Sequence, residues 1–422
     1  MSSTHQEALT MIFPVSAGSE AALDDALATA GADAALGSMN FGKVDGLHFA
    51  RFVVIPPAPG AGGTVQLFFL LDCDAPARTR LREIVRDGGA GLDAVLRWCD
   101  GYPAESERSA ASRSDYLRRH IQPSAAVYVN TVGRTVKQIR AEATLRESVE
   151  GFLDRERDWS GKRPGEIRSA IQAFVAADGD LRWALLPAPQ PSLSFRARRY
   201  LNLAFGIAIG MALVPVALVG AIPFAVQLRR LERSEPSPRV LPDDEHVRKL
   251  GEIEDLVSQN QFTAYGEIKP GRFRRYLAVG LLWAVNFGAR HRFNHGNLAG
   301  VKTIHAARWV FLDGRKRMVF CSNYDGSLEN YMDDFIDKVA WGLNAVFSNG
   351  AEYPRTNWLV RDGAKNELAF KSYIRAHQVP SPVWYSAYPN LTAINIENNA
   401  QVRAGLHGEM SEADAARWLR RL

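Results

Sequence analysis

The sequence has few cysteines and no arrangement of them that binds zinc or catalyses disulfide exchange. The 422 residues include Cys73, Cys99 and Cys321, which are too scattered for a CxxC motif or a disulfide framework. Each lies beside apolar residues, so we expect buried free thiols. Residues 1–9 are polar and lack the basic start and apolar core of a secretory signal. These absences favour a reducing compartment and a cytoplasmic location for most of the chain.

Motifs of several common enzyme classes are also missing. The sequence contains no P-loop, GxGxxG, GxSxG or HExxH pattern, which argues against the usual nucleotide-binding proteins, serine hydrolases and zincins. It also lacks a Lys/Arg run interleaved with aromatic residues, so we expect no nucleic-acid partner. The 51 basic and 46 acidic residues give a net charge of +5. Such a mild basic excess suits an anionic membrane surface.

One long apolar segment is present, from Tyr200 to Leu228. It reads YLNLAFGIAIGMALVPVALVGAIPFAVQL and has no charged residue. As a straight helix it would be about 43 Å long, against about 30 Å for the hydrocarbon core of a bilayer. A buried core helix is the alternative, but such helices rarely run this long without a polar face. We therefore predict membrane attachment through this segment.

The mode of attachment has two interpretations. Arginines flank the segment on both sides, so the positive-inside rule gives no orientation. Pro215, Gly220 and Pro223 interrupt its middle, where helix hydrogen bonds are lost or bent. A helical hairpin would return both flanks to one face, whereas a single long span would have to tilt.

The regions on either side of the segment look alike. Residues 47–55 (LHFARFVVI) lead into 65–74 (VQLFFLLDCD), and residues 304–312 (IHAARWVFL) lead into 317–325 (RMVFCSNYD). Both copies predict strand, turn, strand and helix, with His-x-Ala-Arg on the first strand and Asp ending the second. The alternative is chance similarity between two aromatic-rich hairpins. If the copies pack together they lie on one side of the membrane, which favours the hairpin or a monotopic attachment.

Further periodic segments extend each copy. The mixed order of strands and helices with antiparallel hairpins predicts an α+β fold. The additional predicted strands are Thr10–Val15, Ala125–Asn130, Val383–Ala387 and Leu391–Ile396, and the additional predicted helices are Ala21–Ala30 and Val136–Arg155. We divide the chain into an N-terminal α+β region (1–186), a Pro-flanked membrane helix or hairpin (187–242), an interfacial helical region (243–300) and a C-terminal α+β region (301–422).

Two ferredoxin-like halves in one chain resemble the dimeric α+β barrel superfamily. That superfamily includes dye-decolorising peroxidases, chlorite dismutases and small cofactor-free monooxygenases. The run IHAARWVFLD…FCSNYDGSLENYMDDFIDK…WYSAYPNLTAINIENN is also similar to a family of uncharacterised bacterial membrane-associated proteins. The resemblance implies a pseudo-dimer and, for an enzyme, a peroxidase-like oxidoreductase. Asp325-Gly326 matches the end of the peroxidase GxxDG motif, but the preceding glycine is missing and no residue is assigned as axial haem ligand.

The repeated histidines and arginines are the candidate site. We predict His305, Arg308 and Asp325 as catalytic candidates, because the open sheet face is where the superfamily builds its pocket. The alternative is that each arginine pairs structurally with the strand-end Asp74 or Asp325. The predicted ligand-binding residues are His48, Arg51, Asn323, Trp384, Tyr385 and Tyr388, with core packing as the alternative for the aromatic ones.

A second apolar stretch, Tyr276–Ala289, is too short to span a bilayer. With Trp283 and flanking arginines it suits a helix lying at the membrane surface, and a core helix is the alternative. His291 and His295 follow it. Their arginine neighbours oppose a metal ion, so we assign no metal site and expect a phospholipid headgroup contact.

Two functions follow from these patterns. The first is a protein on the cytoplasmic side of the inner membrane that binds or converts a hydrophobic small molecule. The second is a non-catalytic protein that recruits a partner to the membrane. The sequence leaves open the cofactor, the oligomeric state and whether the protein is an enzyme.

Overall fold

The computed structural model describes residues 5–58, 63–156 and 158–422, which form an α+β fold with antiparallel sheets. The strands are β1 Gln6–Pro14, β2 Leu47–Ile55, β3 Gln66–Asp74, β4 Ile121–Gln122, β5 Ala126–Val129, β6 Gln259–Glu267, β7 Ile304–Leu312, β8 Arg317–Asp325, β9 Thr356–Asn357, β10 Arg361–Asp362 and β11 Val383–Ser386. The helices are α1 Glu20–Gly31, α2 Ala77–Asp87, α3 Gly89–Leu96, α4 Ala110–Arg119, α5 Val136–Arg155, α6 Pro164–Ala177, α7 Leu193–Ser234, α8 Asp244–Gly251, α9 Arg272–His291, α10 Leu328–Phe347, α11 Glu367–His377, α12 Ala393–Ala404 and α13 Glu412–Leu419.

The two main sheets exchange one strand each. The first has the order β11-β2-β3-β1-β4 and the second β5-β7-β8-β6. Strand β5 belongs to the first half of the chain but pairs with β7, where Val129 lies opposite Ala306. Strand β11 belongs to the second half but pairs with β2, where Ser386 lies opposite Phe49. Neither half therefore completes its own sheet from its own strands.

The exchanged sheets pack face to face. Their inner strands are buried along nearly their whole length because helices cover one face and the other sheet covers the opposite face. This explains why the repeated hairpins read as continuous apolar runs instead of alternating ones. The apolar side chains that fill the space between the sheets are Val53, Ile55, Phe68, Leu70, Val310, Leu312, Val319 and Cys321.

Helix α7 is one continuous helix of 42 residues, although Pro215 and Pro223 lie inside it. It is the helix in the described ranges that is long and apolar enough to cross a membrane, judged by length and composition. The hairpin that we favoured is therefore wrong. The reason is that each proline removes one N–H donor, while the remaining backbone bonds of a long apolar helix persist.

Both ends of α7 nevertheless contact the same folded body. Near its start, the ring of Phe195 stacks on His5 with centroids 4.3 Å apart. Near its end, the buried carboxylate of Glu232 accepts the backbone N–H groups of Trp358 at 3.0 Å and Leu359 at 2.7 Å. The two flanks therefore lie on one body, as the hairpin was expected to place them.

Helix α9 runs antiparallel along α7. A Cβ added at Gly206 of α7 would lie 2.2 Å from the ring of Phe287, so glycine permits this close approach. About five turns later, Phe224 meets Phe273 with ring centroids 5.3 Å apart. The opposite face of α9 packs on the second sheet, where Asn286 accepts the N–H of Val127 at 3.2 Å.

Two predicted segments differ from the structure. Leu391–Ile396, predicted as a strand, contains the start of α12 instead, because the Thr392 side chain caps the helix by accepting the N–H of Asn395. The 243–300 region, predicted to be helical, also contains strand β6. The second copy of the repeat therefore begins before residue 301.

The strand exchange predicts a specific cross-link. In the double variant V129C/A306C, the two thiols lie on directly opposed residues of β5 and β7, so we expect an intramolecular disulfide under mild oxidation. The measurement is the mobility shift on non-reducing gels and mass spectrometry of the cross-linked peptide. The control is V129C/A307C, which is out of register by one residue and points to the other face. Equal cross-linking of both variants would contradict the exchange.

Candidate functional site

His48 sits at the junction of the first sheet and helix α5. Its Nε2 lies 3.0 Å from Oδ1 of Asp74, and its Nδ1 lies 2.7 Å from the hydroxyl of Tyr388. Asp74 uses Oδ2 to accept the N–H of Val136, the first residue of α5. Burial, together with nearby carboxylates, raises the pKa of Tyr388 well above its usual range. Tyr388 thus stays protonated, and a neutral His48 with its proton on Nε2 satisfies both contacts.

His305 occupies the equivalent position in the second copy. Its Nε2 lies 2.7 Å from Oδ1 of Asp325, and Oδ2 of Asp325 accepts the N–H of Ala393 at 2.7 Å. Each strand-end aspartate thus joins a strand histidine to the first turn of a helix, where a carboxylate is favoured. The ring of Tyr388 also lies near His305, with centroids 6.1 Å apart.

Arg51 is buried and reaches across to the opposite sheet. Its guanidinium donates to the carbonyls of Phe262 at 3.0 Å and Ser322 at 2.8 Å. It also donates to the Thr263 hydroxyl at 3.1 Å and to the side-chain oxygen of Asn323. These four acceptors all lie on β6 and β8, so Arg51 binds protein atoms of the second sheet.

Arg308 makes the reciprocal contact with the first sheet. Its guanidinium donates to the carbonyls of Leu9 at 2.6 Å and Leu71 at 2.9 Å, and to the hydroxyl of Thr10 at 3.3 Å. It also forms a buried ion pair with Asp72 at 2.5 Å. Both repeated arginines therefore connect the sheets to each other.

The partners of the arginines differ from the alternative that we considered. That alternative paired each arginine with the strand-end Asp74 or Asp325, whereas the structure pairs those carboxylates with His48 and His305. The physical reason is position along the strands. Each histidine lies at a register shift beside the strand-end carboxylate, whereas each arginine lies three residues further along, where it reaches the opposite sheet.

The predicted aromatic ligand residues are mostly packed. Trp384 donates its indole N–H to the side-chain oxygen of Asn323 at 3.1 Å, beside Arg51. Tyr385 lies against Phe41 in the core of the first sheet, with ring centroids 5.8 Å apart. The structure thus brings Arg51, Asn323 and Trp384 into one cluster but leaves Tyr385 outside it.

The space around these residues does not fit a haem. His305 and Tyr388 line a cavity of about 30 Å³, which has room for one or two waters. A ligand of cofactor size needs a pocket of roughly 300 Å³ or more. Apolar side chains fill the space between the sheets, so neither candidate histidine faces a space where a porphyrin fits.

A larger groove of about 810 Å³ lies at the edge of the two sheets beside α9. Its walls are mainly apolar and include Ile12, Phe311 and Val279, with the half-exposed ring of Trp283 at its margin. His120 also lines it and donates from Nδ1 to the carbonyl of Tyr116 at 2.8 Å. That bond leaves Nε2 of a neutral His120 as an acceptor.

The predicted membrane residues lie on α7 and α9. Tyr200 is exposed near the start of α7, and Leu228 near its end is buried against the body. Pro215, Gly220 and Pro223 lie in the exposed middle of the helix. Trp283 of α9 stacks on Phe287 with ring centroids 5.8 Å apart, so it is placed next to α7.

His291 and His295 do not share a helix face. His291 is the last residue of α9, and His295 lies beyond it, in a bridge with Thr131. In the described part of the chain, no group of three His, Cys, Asp or Glu side chains is placed to hold a metal ion. All three cysteines are free and buried, as expected.

Sequence reasoning missed three residues of this arrangement. Asp72 is the counter-charge of Arg308, and its signal was a carboxylate inside the apolar run Leu70–Cys73. Glu232 fixes the end of α7, and its signal was an acidic residue within an arginine-rich flank. His120 had no local signal, because its groove is formed by strands and a helix from distant parts of the chain.

No protein-family model, curated protein or solved structure matches the chain.

The buried ion pair predicts a large loss of stability for R308M. Removing the guanidinium leaves Asp72 charged and unpaired between the sheets, which costs about 3–5 kcal/mol. Urea unfolding in detergent measures the change, and R315M, in an exposed turn, is the control. The double variant R308M/D72L should recover part of the loss because no unpaired charge remains. A loss for R308M no larger than for R315M would contradict this assignment.

Proposed function

We propose that the protein attaches to one face of a membrane and binds a hydrophobic or amphipathic small molecule in the groove beside α9. The observation that carries the proposal is the attachment of both ends of α7 to one folded body. A helix held in this way cannot cross a bilayer while the body stays outside it. Monotopic insertion, with α7 in the lipid along the side of the body, accommodates both facts.

The exposed middle of α7 supports lipid contact. Between Ile207 and Ile222, large apolar side chains are exposed around most of the helix. An exposed apolar surface of this extent is rare in water and is typical of membrane contact. Tyr276 and Trp283 on the outer face of α9 extend it towards the groove.

The groove supports ligand binding better than the histidine and arginine clusters do. Its volume of about 810 Å³ falls within the usual range for small-molecule pockets, and its lining is mainly apolar with a few polar groups. Because Trp283 contacts Phe287, which packs on α7, an apolar molecule has a short path from lipid to groove. Buried free thiols are consistent with the cytoplasmic side of the inner membrane.

We also propose a pseudo-dimeric architecture of the dimeric α+β barrel type. Two similar sheets packed face to face, with reciprocal arginine contacts, support it. The catalytic roles considered for His305, Arg308 and Asp325 are not supported, because all three are committed to internal bonds. Binding without conversion is therefore the form of the function that we favour.

Monotopic insertion predicts the labelling of single cysteines by a membrane-impermeant maleimide. R196C and R233C, on the two flanks of α7, should label from the same side of the membrane as R315C on the body. V214C, in the middle of α7, should be protected by lipid. The measurement compares right-side-out and inside-out vesicles. Labelling of R196C and R233C from opposite sides would establish a single span and sink the proposal.

The groove predicts a size-sensitive binding site. Val279 lines it, so V279W should fill part of its volume and weaken binding of the amphipathic dye anilinonaphthalene sulfonate by about tenfold or more. The matched control is A284W, which adds a tryptophan on the exposed face of the same helix. Fluorescence titration measures both affinities. An equal effect of the two variants, or none for V279W, would contradict binding in the groove.

A further inference from the structure

A second cavity, of about 490 Å³, lies at the start of α7. Its walls come from the beginning of β1, the exchanged strand β5, the end of α9 and the first turns of α7. The apolar segment of α7 begins directly after it, at Tyr200. The cavity is therefore at the depth where the headgroups of a lipid layer surrounding α7 would lie.

The charged side chains that line this cavity are mainly basic. Arg198 and Arg199 of α7 line it together with Arg290 and His291 of α9. Within the described ranges, no carboxylate lies within 4.0 Å of these three guanidinium groups. Glu7 also lines the cavity, but its Oε2 accepts the N–H of Ala77 at 2.7 Å. The charge of Glu7 also interacts with that of Arg198. One carboxylate thus faces three guanidinium groups, and the cavity keeps an excess of positive charge.

His291 adds an unused hydrogen-bonding group. Its Nε2 is buried and has no partner among the described residues. Burial, followed by the charges of Arg199 and Arg290, lowers the pKa of His291, so the ring is neutral at pH 7. A buried nitrogen of this kind calls for a partner, and an anion in the cavity would supply an acceptor.

Helix α1, the counterpart of α9 in the first copy of the repeat, ends at Gly31, where an added Cβ would lie 1.9 Å from the carbonyl oxygen of Pro382. Val383 pairs with Phe52 as Ala126 pairs with Trp309, so α1 stops before the level that corresponds to Val127 and Val129, which line the cavity. The repeated fold therefore does not by itself build this cavity. Its presence at the end of α9 accompanies the insertion of α7, which supplies two of the arginines.

We propose that this cavity binds the phosphate of an anionic phospholipid through Arg198, Arg199 and Arg290. The inference rests on the membrane attachment proposed above. Guanidinium groups bind phosphate oxygens in planar pairs of hydrogen bonds, and apolar residues such as Leu9 and Phe195 contact the glycerol region. Each arginine–phosphate contact adds to the retention of the protein at an anionic surface.

The test uses the full chain in nonionic detergent with two probes, short-chain phosphatidylglycerol and inorganic phosphate. Calorimetric titration of R198Q/R290Q should show an affinity for phosphatidylglycerol reduced by about tenfold or more, because two charge-assisted contacts are lost. The matched control R196Q/R292Q removes the same charge from two exposed arginines that do not line the cavity, one in the first turn of α7 and one directly after α9. It should change the affinity by about twofold at most.

Two results would overturn the proposal. An equal loss in both double variants would mean diffuse attraction, and equally tight binding of inorganic phosphate by the unmodified protein would mean that free phosphate is the ligand. Flotation with neutral phosphatidylcholine vesicles separates this proposal from the membrane attachment itself. Flotation with these neutral vesicles should be the same for both double variants and the unmodified protein. If the unmodified protein does not float with them, the proposed membrane attachment itself is contradicted. Matching circular dichroism spectra confirm that the variants fold.

Discussion

Arg51 and Arg308 carry permanent positive charge into the space between the two sheets. A guanidinium is not deprotonated in proteins, so its burial requires oxygen acceptors at fixed positions. Each arginine finds these acceptors on the opposite sheet, and two of them in each case are backbone carbonyls. A slip of either sheet by one residue would turn the carbonyls away and leave the charge buried without partners. The arginines therefore fix the register of the two sheets relative to each other.

The same constraint explains why the central space has little room for a ligand. An interface fixed by two long polar side chains is completed by apolar residues of both sheets, and close packing leaves only small cavities. The strand exchange has a related effect. Because β5 and β11 each finish the sheet of the other half, the halves cannot separate without breaking strand pairs. The larger cavities consequently lie at the edges of the sheets and beside helix α7.

Local secondary structure was largely predictable from the sequence, but the pairing of strands and of side chains was not. The predicted strands 47–55 and 304–312 and the helix 136–155 match the structure residue for residue, because apolar runs and periodicity are local signals. The exchange of β5 and β11 was not predicted, since periodicity does not show which strand lies beside which. Asp72 was visible in the sequence as an odd carboxylate, but its pairing with Arg308 depends on the packing of two sheets. The groove that His120 lines likewise depends on how distant strands and a helix pack together, so the sequence did not predict it.

The two copies of the repeat also serve as a comparison within one chain. Helix α1 lies between the first and second strands of its half, and α9 has the same place in the other half. Each helix therefore has to pack one face on a sheet. The outer face of α1 is acidic, with Asp24 and Asp25 exposed, whereas α9 exposes Tyr276 and Trp283. Packing on a sheet cannot account for this difference, because both helices already meet that requirement with their inner faces. The difference is confined to the copy that contacts α7, and the groove and the basic cavity both adjoin α9. The symmetric parts of the molecule therefore build the scaffold, and its interactions with lipid and ligand are expected where the symmetry is broken.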